Sequence, residues 1–147
     1  MIRQKLQRLA DLSRRDWLWL PPLILSALAI VMAVKLAPFP GIIRFLERSA
    51  RHPWIAFLQI GNRLHDLEEL VRLTGLAARI VQGPGCCLSR SLLRFWLLRA
   101  RQEPAELLIG VAKDGGLFQS HAWIEQRGLT IDAGHELSRT FVPVLRF

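Results

Sequence analysis

Three side chains in the C-terminal half of the chain have the types and order needed for acyl transfer. Cys87 follows Cys86 directly after Gly83-Pro84-Gly85, His121 lies in the stretch FQSHAWIEQRGLTID, and Asp132 closes that stretch. A thiol becomes a nucleophile as its thiolate, and the free N–H groups at a helix start favour that form. The same N–H groups can hold an oxyanion, and neighbouring glycines let a substrate backbone come close. An imidazole can take and return the proton, and a carboxylate beside it fixes the ring tautomer. The pattern is therefore a candidate Cys-His-Asp arrangement, with Cys87, His121 and Asp132 in those roles. Taken singly, each residue has a plainer reading. A cysteine is more often a small buried hydrophobe, and the His–Asp pair fits two surface side chains.

Two elements must position these groups. Cys86 to about Arg101 has helical spacing, with Leu88, Leu92, Phe95, Trp96 and Leu98 supplying buried surface. Cys87, Ser91 and Arg94 share one side of that helix, and Cys86 lies about 100° around it. After Gln102-Glu103-Pro104 the period changes to that of strands. Ala105–Ala112, Leu117–Glu125, Leu129–Asp132 and Phe141–Phe147 read as four strands, with Lys113-Asp114-Gly115-Gly116 as a hairpin turn. In the second strand, Phe118, Ser120, Ala122 and Ile124 form a small apolar face suited to a helix. Gln119, His121, Trp123 and Glu125 form the more polar one. A two-residue turn at Gln126-Arg127 sets Asp132 opposite His121, and one at Arg127-Gly128 sets it one diagonal away. Both keep the pair on one face, whereas a three-residue turn separates them.

The run PGCCLSRSLLRFWLLRARQEPAELLIGVAKDGGLFQSHAWIEQRGLTID resembles the cysteine-protease proteins of lasso peptide biosynthesis, a branch of the transglutaminase-like, papain-like superfamily. The matching residues are Cys87-Leu88-Ser89-Arg90-Ser91, Ile109-Gly110-Val111, Ser120-His121-Ala122-Trp123-Ile124-Glu125 and Asp132. The chain departs from the pattern in the doubled Cys86 and in serine rather than alanine before the histidine. The resemblance favours Cys87 over Cys86 as nucleophile. It implies a stand-alone leader peptidase that cuts a ribosomally made precursor peptide between leader and core. Its implied partners are a separate leader-recognition protein and an ATP-dependent macrolactam cyclase, with no cofactor and no metal. Gln82 is a candidate oxyanion donor, since papain-like enzymes use an upstream glutamine. Arg90 belongs to the motif and would hold a carboxylate in the core or meet the precursor. Trp123 would shield the His–Asp pair or simply pack. Two other readings stand beside this one: an acyl transferase using the same groups, and a non-catalytic membrane-associated scaffold.

The rest of the chain is read more coarsely. Half of the 147 residues are apolar, so a folded core is expected. The net charge of +8 implies an acidic partner. No zinc finger, KH-type loop or aromatic RNA-binding strand accompanies it, and nucleic acid is not expected. Two adjacent cysteines fit a reducing cytosol better than a disulfide framework. Residues 2 to 16 have the spacing of a basic amphipathic helix. Residues 17 to 34, WLWLPPLILSALAIVMAV, carry no charge and would be a buried or docking helix, a membrane anchor or a signal peptide. Pro21-Pro22 would then stand near the helix start. Leu64 to Val81 is helical, with Leu64, Leu67, Leu70, Val71, Ala78 and Val81 inward, and Gly61-Asn62 is a turn. Trp54, Phe57, Leu58 and Ile60 form an apolar patch. His52, His65 and His135 show no partner pattern. The expected architecture is α+β, with N-terminal helices followed by a catalytic helix on an antiparallel sheet. It divides into a helical extension (1–40), a helical part (41–82) and a protease-like core (83–147).

Overall fold

The computed structural model describes residues 12–55, 61–114, 116–131 and 140–147. The apolar patch at 57–60, Asp132, His135 and most of the 2–16 segment lie outside them. Helix α1 spans Arg14–Leu36. Ser13 is extended and caps it: its hydroxyl accepts the Asp16 N–H while the Asp16 carboxylate accepts the Ser13 N–H. The expected amphipathic helix therefore does not run through to residue 16, because a new helix begins at Arg14. Pro21 and Pro22 lie inside α1, in its third turn, not near its start. α1 buries Trp19, Leu20, Leu23, Ala27 and Ile30.

Helix α2 (Phe39–Ala50) starts behind Pro38, and a 3-10 turn follows at Pro53–Ile55. Helix α3 (Leu67–Gln82) begins with a reciprocal cap between Asp66 and Glu69. Its buried stripe is Leu70, Leu73, Thr74, Ala77 and Ala78. Leu70 and Ala78 are inside as their spacing predicts and Leu73 widens the buried stripe, whereas Leu64, Leu67 and Ile80 face solvent. The Gly61-Asn62 turn is replaced by helical backbone over 61–64. Asn62 is fully buried there because both ends of its amide are used. It donates to Leu97 C=O at 2.7 Å and accepts from Arg101 Nε at 2.7 Å.

Helix α4 (Cys87–Ala100) is the central element, burying Leu92, Leu93, Phe95, Leu97 and Leu98. Burying a side chain of this kind is worth about 2 kcal/mol. Trp96 donates to Ser49 Oγ at 2.9 Å, which ties α4 to α2. Strands β1 (Glu106–Asp114), β2 (Leu117–Gln126), β3 (Leu129–Thr130) and β4 (Val142–Arg146) form an antiparallel sheet in the order β3-β2-β1-β4. Leu107 and Ile124 join the helical core. Leu108 and Trp123 face the other way and pack with Phe141. The fold is α+β: helices first, then an antiparallel sheet against α4.

One buried polar cluster fastens α1 to α3. Asp16 accepts from Arg72 at 2.8 Å and meets His65 Nε2 at 3.1 Å. The other ring nitrogen of His65 meets Gly61 C=O at 2.6 Å, and the ring stacks on Trp19. His65 is thus a satisfied interior residue. Burial on its own would raise the Asp16 pKa, but the Arg72 hydrogen bond, the Ser13 N–H and the Arg72 charge outweigh it. The net result is a value below the ordinary 3.8. A carboxylate held low in the folded state stabilises it above the unfolded pKa, and that contribution fades as pH falls through the folded value. Stability should therefore drop below about pH 4. Asp16→Ala should cost about 3 kcal/mol at neutral pH and flatten that acid loss, as read by urea unfolding at several pH values.

Candidate active site

The two cysteines occupy different environments. Cys86 is the N-cap of α4 and is 1% exposed, while Cys87 is the first helical residue and is half-buried. Among the described residues no side chain caps this helix. Its first ladder bond runs from Arg90 N–H to Cys86 C=O, so the N–H groups of Cys87, Leu88 and Ser89 lie outside the ladder. In front of them the chain is open. A Cβ added at Gly83 or Gly85 would meet nothing within 4 Å, and Gly83 has a φ of +77° that only glycine adopts readily.

His121 lies in the middle of β2, opposite Gly110 of β1. Its ring stacks with Trp123 at 6.3 Å and tilts against Phe141 at 5.4 Å. The face expected to be the more polar one is therefore largely apolar, since Trp123 is buried with Leu108 and Phe141. On the opposite face only Ala122 and Ile124 are buried, and Phe118 and Ser120 are exposed.

What joins helix to strand is Ser91. One turn along from Cys87, its hydroxyl donates to Ala122 C=O at 3.0 Å, and Ser91 is fully buried. Ala122 follows His121 directly. Among the described residues β3 pairs with Glu125 and Gln126, and Ile131 N–H takes Ile124 C=O, so the Ala122 carbonyl is taken by Ser91. The first turns of α4 thus reach β2 at the residue after His121. Among the described residues no hydrogen bond links Cys87 to His121; a thiol and its base often close only around substrate.

The β2–β3 connection is a two-residue turn with Arg127 at φ 52° and Gly128 at φ 78°. Positive φ at both central residues suits a right-twisted hairpin. Of the sequence alternatives this is the Arg127-Gly128 turn. Asp132 itself lies outside the described residues.

A family profile for the transglutaminase-like superfamily matches residues 28–146. The chain belongs to that superfamily. Neither the curated proteins nor the solved structures gave a match. The transglutaminase-like fold usually carries a cysteine peptidase or an acyl transferase, and both use the kinds of group gathered around α4 and β2.

Within this transglutaminase-like core the remaining candidates are placed as follows. Gln82 is the last residue of α3, not a loop residue, and its Oε1 accepts the Ser89 hydroxyl at 2.7 Å. An amide that accepts through its oxygen keeps its N–H donors for another group. Trp123 donates to Glu125 Oε1 at 3.1 Å, and Glu125 also lies 3.9 Å from Arg146. Arg90 is half-buried, with a buried Nε that has no hydrogen-bond partner among the described residues.

Sequence reasoning missed Gly110 as part of the site. The strand pairing puts it across from His121 and diagonal to Trp123. An added Cβ would lie 2.7 and 2.8 Å from atoms of the Trp123 ring and 2.9 Å from Val142 C=O. The glycine in Ile109-Gly110-Val111 and the tryptophan in His121-Ala122-Trp123 therefore form one packing unit. A glycine inside a strand pattern was the available signal.

Burial, and then the charge of Arg90, hold the His121 pKa below its ordinary value of 6.5. Removing a nearby cation favours the protonated ring. Arg90→Gln should therefore shift the His121 titration to higher pH. NMR of the imidazole checks this directly, and the acid limb of any activity profile should move the same way. The shift should be partial, because burial remains.

Proposed function

We propose that this protein is a cysteine peptidase that removes the leader from a ribosomally made lasso peptide precursor. The observation that carries the reading is the pairing of an open thiol with an anchored strand. Cys87 stands at an uncapped helix start while Cys86 is buried, and Ser91 fastens that helix to β2 at the residue after His121. The motifs Cys87-Leu88-Ser89-Arg90-Ser91 and His121-Ala122-Trp123-Ile124-Glu125 supply the resemblance to the lasso peptide branch.

In this reading His121 removes the Cys87 proton and the sulfur attacks the carbonyl at the leader–core junction. N–H groups of the first turn of α4 hold the oxyanion, and the amide N–H of Gln82 adds a donor. The intermediate collapses as His121 returns the proton to the departing core amine, which leaves the leader as a thioester on Cys87. Water, activated by the same imidazole, then attacks the thioester. The leader departs with a free carboxylate and the thiol is restored. Asp132 orients the ring. Trp123 shields the pair. A separate leader-recognition protein presents the precursor, and an ATP-dependent cyclase consumes the freed core amine.

The test is a mass-spectrometric cleavage assay on the cognate precursor, with and without the leader-recognition protein. Leader and core fragments differing from the precursor by one water support hydrolysis. A leader joined to an added amine instead identifies an acyl transferase. An intact precursor under every condition refutes both.

A further inference from the structure

The geometry points to a second functional surface, on the outward side of α1, that docks flat on an anionic lipid bilayer. The inner stripe of this helix is buried against α3 and α4. The outer stripe is apolar as well. Trp17, Leu18, Leu25, Leu28, Met32 and Leu36 are all exposed, Leu18 at 75% and Leu25 at 67%. Residues 17–34 contain no charged side chain, while Arg14 and Arg15 precede them and Lys35 follows. All three of these cations face solvent.

Three observations select lipid, and a surface position, over other occupants. First, the stripe offers almost nothing for hydrogen bonding. Apart from the indole N–H groups of Trp17 and the buried Trp19, Ser26 is the single polar side chain in residues 17–34, and it already donates to Pro22 C=O at 2.8 Å. A protein partner ordinarily makes about one hydrogen bond per 100–200 Å² of interface. An acyl layer asks for none, and basic residues at both ends suit anionic headgroups. Second, the inner stripe and the Asp16–His65–Arg72 cluster bind α1 to the rest of the fold. A span would have to pull that cluster apart. Third, Pro21 and Pro22 lack N–H groups, so the carbonyls of Trp17 and Leu18 lose their usual helical donors. Water at the headgroup level can satisfy those carbonyls and hydrocarbon cannot. The helix therefore lies in the interface with its outer stripe in the acyl region and its inner stripe still on α3 and α4.

The experiment is co-sedimentation of the full chain with phosphatidylcholine vesicles, with and without phosphatidylglycerol. The comparison variants are Leu25→Glu/Leu28→Glu and Arg14→Gln/Arg15→Gln. Both pairs of positions are exposed, and circular dichroism with a melting curve verifies that each variant keeps the fold. Wild type should pellet with the phosphatidylglycerol vesicles and be released by alkaline carbonate. The leucine variant should lose binding on the order of tenfold or more. The arginine variant should lose the preference for phosphatidylglycerol while retaining weak binding to both. The inference is overturned if wild type stays in the supernatant with both vesicles, or if the leucine variant pellets as wild type does. Resistance to carbonate would overturn it in favour of a span. A dimer that the leucine substitutions dissociate, without vesicle binding, would overturn it in favour of a second copy of the chain.

Discussion

Cys87→Ala should abolish precursor cleavage, lowering kcat/KM on the order of a thousand-fold or more, whereas Cys86→Ala should leave turnover close to wild type. The contrast follows from one helical step. Cys86 is enclosed at the cap of α4, so its loss should trim packing by about 1 kcal/mol. Cys87 is half-buried, carries no competing hydrogen bond among the described residues, and stands before the open Gly83–Gly85 segment. Its removal takes away the atom that forms the covalent intermediate while leaving the helix intact. Steady-state cleavage of the precursor, with unfolding midpoints for both variants, separates the two effects. Equal losses at the two positions would mean that packing, not chemistry, links this pair to activity.

Gly110→Ala should have the second large effect, and it should reach both stability and activity. The added methyl meets the Trp123 ring and the Val142 carbonyl at less than 3.0 Å. Trp123 is 2% exposed and Val142 contributes backbone, so neither yields easily. A cost of about 1–3 kcal/mol is expected from overpacking. Because the Trp123 ring stacks with His121, displacement of the indole also displaces the base. Cleavage should fall further than the loss of folded protein explains. The double variant Gly110→Ala/Trp123→Leu should recover part of the lost stability, since residues in direct contact couple. Thermal melts and cleavage rates normalised to folded fraction check both claims. Additive losses in the double variant would show that the methyl and the indole do not compete for space.

Much of this arrangement was legible in the sequence because it rests on short-range rules. The hairpin around Asp114-Gly115-Gly116 and the period of α4 follow from turn chemistry and apolar spacing. The preference for Cys87 over Cys86 came from the motif resemblance, with their angular separation on a helix agreeing. The Arg127-Gly128 turn was one of two allowed by parity, and positive φ at both residues decided for it. Long-range packing was not legible. Leu64 and Leu67 have the spacing of the inner face yet lie exposed, because the face that α1 covers is centred on Leu70, Leu73 and Thr74. Asn62 looked like a turn residue until Leu97 and Arg101 supplied partners from α4 and just past its end. His65 acquires its role from Asp16, which is 49 residues away. The place of β4 beside β1 and not beside β3 likewise depends on a non-local crossover. Ser91 is the instructive case: its position one turn after Cys87 was visible, but its bond to the β2 backbone was not.

The central claim is that the sulfur of Cys87 becomes covalently attached to the leader. Acid quenching of the wild-type protein during precursor turnover, followed by intact and peptide mass spectrometry, tests it directly. The account predicts a transient mass increase equal to the leader minus water, located on the peptide containing Cys87 and absent from His121→Ala. Cleavage that proceeds with Cys87 unmodified throughout, or an adduct localised to Cys86, would contradict it.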